Sequence, residues 1–359
     1  MYLITPLKAN TPYLCRAHRQ GPHRIRALTV VAFLLLFGGL ATAQTPMPTL
    51  TLNAALDAAQ ARSATLPAQD AASRAARERA ISAGRLPDPV LRLSVDNLPI
   101  EGPMRYSLTD DFMTQRSVEW MQTYTATSKR EALSVRYEQE AEAALSIRSL
   151  QKTKLFIQTA QAWLERYYQE KMLGMLIRQR NEARQVSQAV ESAYRNARAT
   201  QADVLASRAA VAGVEDRMHV VRSDLSNAQA LLQRWVGNAA TQPLGPLPRI
   251  DKTLLDKSQL HQEIAQHSEI AVLDARKRVA LAQAEVAKQN KSVDWNWSLM
   301  YSKRGSQFGD MVSFGVSIPL QWDQANKQDR ELTASLDQVE QIRLENEEMR
   351  RGLLAPIEY

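Results

Sequence analysis

The feature that most constrains the fold is a long stretch without proline. From Ser128 to Gly237 the chain has no proline and only two internal glycines, Gly174 and Gly213. Since proline is the residue that most strongly breaks a helix, this stretch predicts two very long helices. The first, from Ser128 to about Ala193, would be on the order of 100 Å long at 1.5 Å per residue, whereas helices in globular proteins average about 11–12 residues.

The second half of this stretch has two rows of mostly apolar residues at intervals of seven. The rows are Val204, Val211, Met218, Leu225 and Leu232, and Ser207, Val214, Val221, Ala228 and Trp235. Together the two rows are spaced by alternating steps of three and four residues, which predicts a coiled-coil seam. The first half has a more polar seam, with Leu150, Ile157 and Leu164 in one row and Thr153, Ala160, Tyr167 and Gly174 in the other.

The sevenfold period is lost between the two halves, from Tyr194 to Ala199. Thr200 and Asp203 then have the spacing of a capping box, in which the hydroxyl and the carboxylate accept hydrogen bonds from free amides at a helix start. We therefore expect the chain to turn back here and to form a long antiparallel coiled coil.

The first 43 residues have the pattern of a secretory signal peptide. Arg24 and Arg26 precede an apolar run, Ala27 to Leu40, and Ala41-Thr42-Ala43 supplies small residues before Gln44. The run is too short for a transmembrane helix. The mature protein is expected to begin near Gln44, in an exported form.

Cleavage of this signal peptide would change the conclusions that follow from the net charge and from the cysteine content. The segment holds five basic residues and no acidic one, so the formal charge falls from +7 to +2. The basic pI therefore reflects mostly targeting and gives no support for nucleic-acid binding. The single cysteine, Cys15, would be lost as well, which excludes disulfides, thiolate zinc sites and a lipid-bearing N-terminal cysteine.

Ahead of the long helices, the chain has the pattern of helix, strand, loop and strand. An Ala-rich helical pattern from Thr51 to Ala83 is interrupted at Pro67. Residues 91–95 alternate Leu or Val with Arg or Ser, which predicts a strand. A second extended run surrounds Val118 and Trp120.

The same order of elements returns after residue 237, which predicts an internal repeat. We divide the chain into a first repeat (44–237), a linker (238–257) that is rich in proline at its start, and a second repeat (258–359). In the second repeat, a helix from about Ser258 to Lys291 precedes two strands, and a final helix begins at Lys327. The apolar strand positions are Trp295, Trp297, Leu299 and Tyr301, then Val312, Phe314, Val316, Ile318 and Leu320.

These strands have aromatic or branched residues on one side and Ser, Asn and Gly on the other. That pattern is typical of a barrel strand with one side in lipid and the other facing a polar lumen. The alternative is an amphipathic hairpin on the helical core of a soluble protein. Export, duplication and the long helices favour the barrel. Trp295, Trp297 and Trp322 would then form an interfacial girdle, with packing inside the hairpins as the alternative.

Four parts of the sequence resemble the TolC-type outer-membrane efflux factors, in particular the branch that serves heavy-metal resistance-nodulation-division pumps. They are Gly84–Pro89 with Val95–Pro99, Ser107–Met113 with Ser128–Arg130, Tyr194–Leu205, and Met311–Leu320. The resemblance spans nearly all of residues 51–351, and its last part is the most specific.

The resemblance implies a fold class that is mainly α with β-hairpins. Each chain of a homotrimer would give two hairpins to a shared twelve-stranded outer-membrane barrel, and its long helices to a periplasmic α-barrel. A periplasmic adaptor and an inner-membrane pump would be the partners, in the outer membrane of a Gram-negative-type cell. The chain would be a passive conduit for heavy-metal cations or small toxic molecules.

Two features depart from that family. Ala197 stands in the tip, where the family usually has glycine. Only 32 residues follow Lys327, whereas 108 separate Lys129 from Gly237. The second helical hairpin is thus expected to be mostly missing, as in a fragment or a truncated reading frame, and the chain as given is not expected to form a sealed, conducting trimer.

The sequence has no phosphate loop, His-Glu-x-x-His motif or nucleophile elbow, so no enzymatic activity, cofactor or metal site is predicted. The mature histidines are His219, His261 and His267. His219, beside Met218, is interpreted as solvated or packed, and His267 as a helix cap, in preference to metal ligands. The pair Asp110 and Asp111 is interpreted as part of a solvated loop. Three functions stay open: a transport conduit, an exported coiled-coil structural or adaptor protein, and a non-functional truncated efflux factor.

Overall fold

The computed structural model describes residues 49–249 and 263–358 except residue 265, with backbone alone for 356–358. The proposed signal peptide (1–43), residues 250–257 of the linker, and residues 258–262 with His261 lie outside the described residues.

The described elements follow the predicted order. The helices are α1 (Leu52–Arg62), α2 (Thr65–Ala83), α3 (Thr127–Arg195), α4 (Gln201–Val236), a 3-10 helix (Gly237–Thr241), α5 (Ser268–Gln289) and α6 (Gln328–Glu358). The strands are β1 (Val90–Asp96), β2 (Gln115–Tyr124), β3 (Trp295–Lys303) and β4 (Met311–Ser317). Helix, strand, loop, strand and helix therefore occur twice.

The interruption predicted in the first helical segment separates α1 from α2. It lies at Ser63 and Ala64, and Pro67 sits in the first turn of α2. A first-turn amide has no partner within its own helix, so proline is tolerated there. The break therefore precedes the proline that signals it.

Helices α3 and α4 confirm the predicted long hairpin. The 69 residues of α3 span on the order of 100 Å at 1.5 Å per residue, and α4 returns along it for 36 residues. All ten predicted seam positions of α4 are buried or half-buried, with Met218 1% exposed and Leu232 0% exposed. The sevenfold pattern of α4 identified its packed face correctly.

The seam predicted for α3 was correct only in part: Leu150, Ala160, Leu164, Tyr167 and Gly174 are half-buried, and two of its seven positions are exposed. Ile157 is 51% exposed and Thr153 is also exposed, whereas Leu155, Thr159 and Trp163 are buried. The physical reason is that α3 packs against α1, α2, α4 and α5 at different points along its length. A single sevenfold row cannot describe a helix whose buried face changes with its neighbour.

The two repeats join side by side rather than forming separate cores. Helix α3 lies between α2 and α5, and α5 lies next to α6. The strands follow the same order, β1-β2-β3-β4, in one antiparallel sheet. The centre of that sheet is the pairing of β2 with β3, from Arg116 opposite Lys303 to Tyr124 opposite Trp295.

The described part of the proposed linker, residues 238–249, packs onto the first repeat. Leu244 forms a parallel bridge with Leu50, and the indole Nε1 of the fully buried Trp163 donates to the Leu50 carbonyl at 3.0 Å. The guanidinium of Arg166, only 5% exposed, donates to the carbonyls of Ala240 and Gln242. This segment therefore closes one end of the core that α1, α3 and α4 share.

Candidate functional site

The first candidate site is the four-stranded sheet, because its two faces differ in chemistry. The strand registers place one set of mostly apolar side chains on a single face. This apolar face consists of Leu91, Leu93, Val95, Val118, Trp120, Tyr124, Trp295, Trp297, Leu299, Tyr301, Val312, Phe314 and Val316. Gln122 shares the face, and Arg116 and Lys303 lie at its end toward the hairpin loops.

The opposite face is mostly polar, although Val90, Met121, Met300 and Met311 share it. Part of this face, together with Trp297 and Val316, lines a groove of about 510 Å³. The polar members of this face include Arg92, Ser94, Asp96, Ser117, Glu119, Thr123, Asn296, Ser298, Ser302, Ser313 and Ser317. The Asp96 carboxylate accepts from Ser94 at 3.0 Å and from Ser117 at 2.5 Å. The charged residues of this face are Arg92, Asp96 and Glu119, and Arg92 lies 3.9 Å from Glu119.

The polarity of the sheet is inverted relative to that of a soluble protein. Leu93 is 70% exposed and Phe314 is 69% exposed, whereas Ser117 and Ser302 are 3% and 1% exposed. Water-soluble sheets bury the apolar face and expose the polar one. A contiguous exposed apolar surface of this kind requires a covering partner or lipid.

Aromatic residues lie where the sheet meets the helices. Tyr124 and Trp295 pair across strands with ring centroids 5.1 Å apart, and Trp322, between β4 and α6, is 89% exposed. Trp297, predicted as part of the same girdle, sits one step further along β3 and is half-buried. Aromatic residues in such a position are enriched where a membrane meets water.

The outer strands of this sheet have unpaired edges. Within the described residues, β1 pairs only with β2, and β4 pairs only with β3. Their free amides and carbonyls are a template for pairing with another chain.

The opposite ends of the hairpins carry two loops. Asp110 and Asp111, the acidic pair noted in the sequence, are used in local turns: Asp110 accepts from the Ser107 hydroxyl at 2.8 Å, and Asp111 accepts from the Met113 amide at 2.7 Å. The loops touch, since a Cβ on Gly305 would lie 1.7 Å from the Thr109 carbonyl oxygen. Glycine is required at that contact.

The second candidate site is the tip between α3 and α4. The Thr200 hydroxyl accepts from the Asp203 amide at 3.2 Å, and the Asp203 carboxylate accepts from the Thr200 amide at 2.8 Å. The predicted capping box is therefore confirmed. The hydrogen bond from the Thr200 amide, followed by that from its hydroxyl, lowers the pKa of the Asp203 carboxyl below its usual value.

The end of α3 forms a Schellman motif that sequence inspection missed. Arg198 donates to the Ala193 carbonyl at 2.8 Å and Ala197 donates to the Tyr194 carbonyl at 2.9 Å, the bond pair that defines this motif. Ala197 has φ of 55°, in the left-handed region that glycine usually occupies. The turn therefore forms with Ala197 in the place where the TolC-type proteins that this sequence resembles usually have glycine. The difference strains the backbone at Ala197 and leaves the turn in place.

The histidines lie apart from both sites. His267 caps α5, its Nδ1 accepting from the Glu269 amide at 3.4 Å, which confirms the interpretation as a cap. His219 is exposed on α4. Among the described residues, no three His, Cys, Asp or Glu side chains are grouped as metal ligands would be.

No described helix is both long and apolar enough to cross a bilayer.

No family model matches the sequence, and no curated protein gives a significant match. Several solved structures do match the fold. The outer membrane protein VceC from Vibrio cholerae aligns over 84% of this chain and 75% of its own, with a TM-score of 0.63 and 17% identity. The chain has the fold of outer-membrane channels.

Two further channels with this fold support that assignment. The CmeC outer membrane channel of Campylobacter jejuni aligns over 85% of this chain and 70% of its own, with a TM-score of 0.68 and 10% identity. The MtrE outer membrane channel of Neisseria gonorrhoeae, solved in its open state, aligns over 84% of this chain and 70% of its own, with a TM-score of 0.61 and 13% identity. At these identities the likeness concerns the fold.

Proposed function

We propose that this chain is a subunit of an outer-membrane conduit in a tripartite efflux system. The observation that carries the proposal is the inverted sheet, with its apolar face exposed and most of its polar side chains on the other face. Such a sheet suits lipid on one side and a water-filled lumen on the other. The channel fold and the long helical hairpin support the same function.

The proposed assembly is a homotrimer. A bilayer offers no water to satisfy a free strand edge, so strands that span it must close on themselves. Four strands are too few to enclose a lumen, since small barrels have eight. Three copies would supply twelve strands and would pair each free edge of β1 with β4 of a neighbour.

The tip of the α3–α4 hairpin is the proposed docking point for a periplasmic adaptor, with an inner-membrane pump beyond it. Substrate transport would be passive, with no enzymatic step in this chain. The parts of the sequence that resemble the heavy-metal branch make metal cations the first substrate class to test and small toxic organic molecules the second.

Labelling of single cysteines tests the orientation of the sheet. Ser298 and Leu299 are neighbours on β3 whose side chains lie on opposite faces. In intact membranes, an aqueous maleimide should label Ser298→Cys and should miss Leu299→Cys. The reverse result would mean that the apolar face is not in lipid.

An exported coiled-coil protein that never enters a membrane is the second candidate, favoured by the seam of α4. Membrane fractionation separates the two. A conduit should be recovered only after detergent extraction, whereas a periplasmic coiled-coil protein would be released by osmotic shock.

A further inference from the structure

A cationic cavity lies on the helical part of the protein, away from both the sheet and the tip. It has a volume of about 330 Å³ and lies between the α1–α2 junction, the middle of α3 and the end of α4. Lys154, on its α3 wall, follows the start of α3 by roughly 40 Å and precedes its end by roughly 60 Å, at 1.5 Å per residue. The proposed conduit function assigns no role to this position.

Three basic side chains line this cavity: Arg62, Lys154 and Arg234. Among the described residues, no acidic side chain lines it, and no carboxylate lies within ion-pair distance of Arg62 or Arg234. Within the part of the chain that the structure describes, Lys154 pairs with Glu269 at 3.4 Å. This concentration of positive charge is unusual in a mature chain whose expected net charge is only +2, and it favours an anionic ligand.

The remaining walls favour a sugar over a simple ion. Ala59 and Leu155 are buried and provide an apolar floor, with the half-buried Trp235 beside them. Gln151 and Gln158 supply amide groups that can both donate and accept hydrogen bonds. A sugar ring has an apolar C–H face and polar edges, so it matches a floor and rim of this kind, and carboxylates on a short peptide attached to the sugar would reach the cations.

We propose that this cavity binds a carboxylate-bearing glycan of the cell-wall type. The proposal uses the exported location only to name the natural ligand, since the cavity and its charges are properties of the chain itself. Binding there would attach the helical part of the protein to the wall at a point remote from lipid.

The test uses the full chain in detergent and purified peptidoglycan sacculi as the probe. Chitin, which has a similar sugar backbone without the stem peptides and their carboxylates, and polyphosphate, which has charge without sugar, are the comparison ligands. We expect retention on sacculi, weak retention on chitin, and loss of binding as salt is raised. Equal binding to chitin, or stronger binding to polyphosphate than to sacculi, would overturn the assignment to an acidic glycan.

The triple variant R62Q/K154Q/R234Q should bind sacculi about tenfold more weakly than wild type. This is the combined effect expected from losing three exposed ionic contacts, each of which contributes little by itself. The matched control R178Q/R217Q/R222Q removes the same charge from exposed positions outside the cavity and should bind like wild type. Because Arg62 packs against Gly237, the double variant K154Q/R234Q provides a version that keeps this contact. Wild-type binding by both cavity variants, or equal loss in the control, would refute the proposal.

Recovery from membranes only after detergent extraction should be the same for wild type and the cavity variants. A chain that enters membranes and does not bind sacculi would refute the glycan site alone, and a chain that binds sacculi and is released by osmotic shock would refute the conduit alone.

Discussion

At the scale of single residues, the tip of the long hairpin shows a strained position that can be relieved. Ala197 adopts φ of 55°, which costs a residue with a Cβ roughly 1 kcal/mol relative to glycine. Ala197→Gly should therefore stabilise the hairpin by about that amount. Thermal unfolding followed by circular dichroism checks this, with Ala199→Gly as the control. An equal or lower stability would show that the left-handed turn is not retained.

The Asp203 carboxylate makes the stability of the tip depend on pH. Its pKa is lowered by hydrogen bonds from the Thr200 amide and then the Thr200 hydroxyl. A carboxyl whose folded pKa is depressed contributes stability above its unfolded pKa of about 3.9, and that contribution is lost as the pH falls through the lower folded pKa. The melting temperature of Asp203→Ala should therefore lie below that of wild type at pH 7, and the gap should narrow in acid. A gap independent of pH would contradict this.

Arg166 is a buried charge whose hydrogen bonds hold the segment after α4 in place. Replacing it by Met keeps much of the volume and leaves the carbonyls of Ala240 and Gln242 without their donor. The expected loss is about 3 kcal/mol, since unsatisfied buried groups cost roughly 1–3 kcal/mol each. Arg178→Met, at an exposed position of the same helix, is the control. A loss as small as that of the control, measured by denaturant unfolding, would mean that the segment has other anchors.

At the scale of elements, the α4 seam should dominate the stability of the hairpin. Leu232 is 0% exposed and packs with the fully buried Trp163. Leu232→Ala should cost about 2–5 kcal/mol, as large-to-small substitutions in cores do. Ile157→Ala is the matched comparison, because Ile157 fits the sevenfold pattern of α3 and is nevertheless 51% exposed. Ile157→Ala should reduce the free energy of unfolding by well under half as much as Leu232→Ala. Similar losses at both positions would restore the α3 seam as predicted from the sequence.

At the scale of the described molecule, the two faces of the sheet should respond oppositely to charge. Phe314 lies on the apolar face and Ser313 on the polar face of the same strand. An arginine on a lipid-facing barrel strand costs roughly 2–4 kcal/mol at the bilayer midplane, whereas a lumen position stays hydrated. Phe314→Arg should reduce the amount of heat-stable assembly in outer-membrane fractions, and Ser313→Arg should leave it close to wild type. Equal assembly of both variants would argue against the lipid-facing assignment.

The sequence by itself determined the elements whose signals are local or strictly periodic. The proline-free stretch and the Thr200–Asp203 spacing defined both long helices, because helix breakers and caps act through neighbouring residues. The alternation along β3 and along β4 as far as Ser317 assigned side chains to faces correctly, since the side-chain period of a strand is two, whereas Ile318 and Leu320 lie beyond the end of β4. The rows of α4 identified its packed face because this helix has one main partner along its length, α3.

Only the tertiary structure decided features that depend on residues distant in sequence. The packed face of α3 changes with its several neighbours, so its register could not be obtained from one row. Nothing in the sequence around Arg166 distinguishes it from the other arginines of α3. Its role depends on hydrogen bonds to carbonyls more than 70 residues away. The left-handed Ala197 and the convergence of Arg62, Lys154 and Arg234 were also set by folding. Their physical cause is packing, which brings together groups that no local pattern relates.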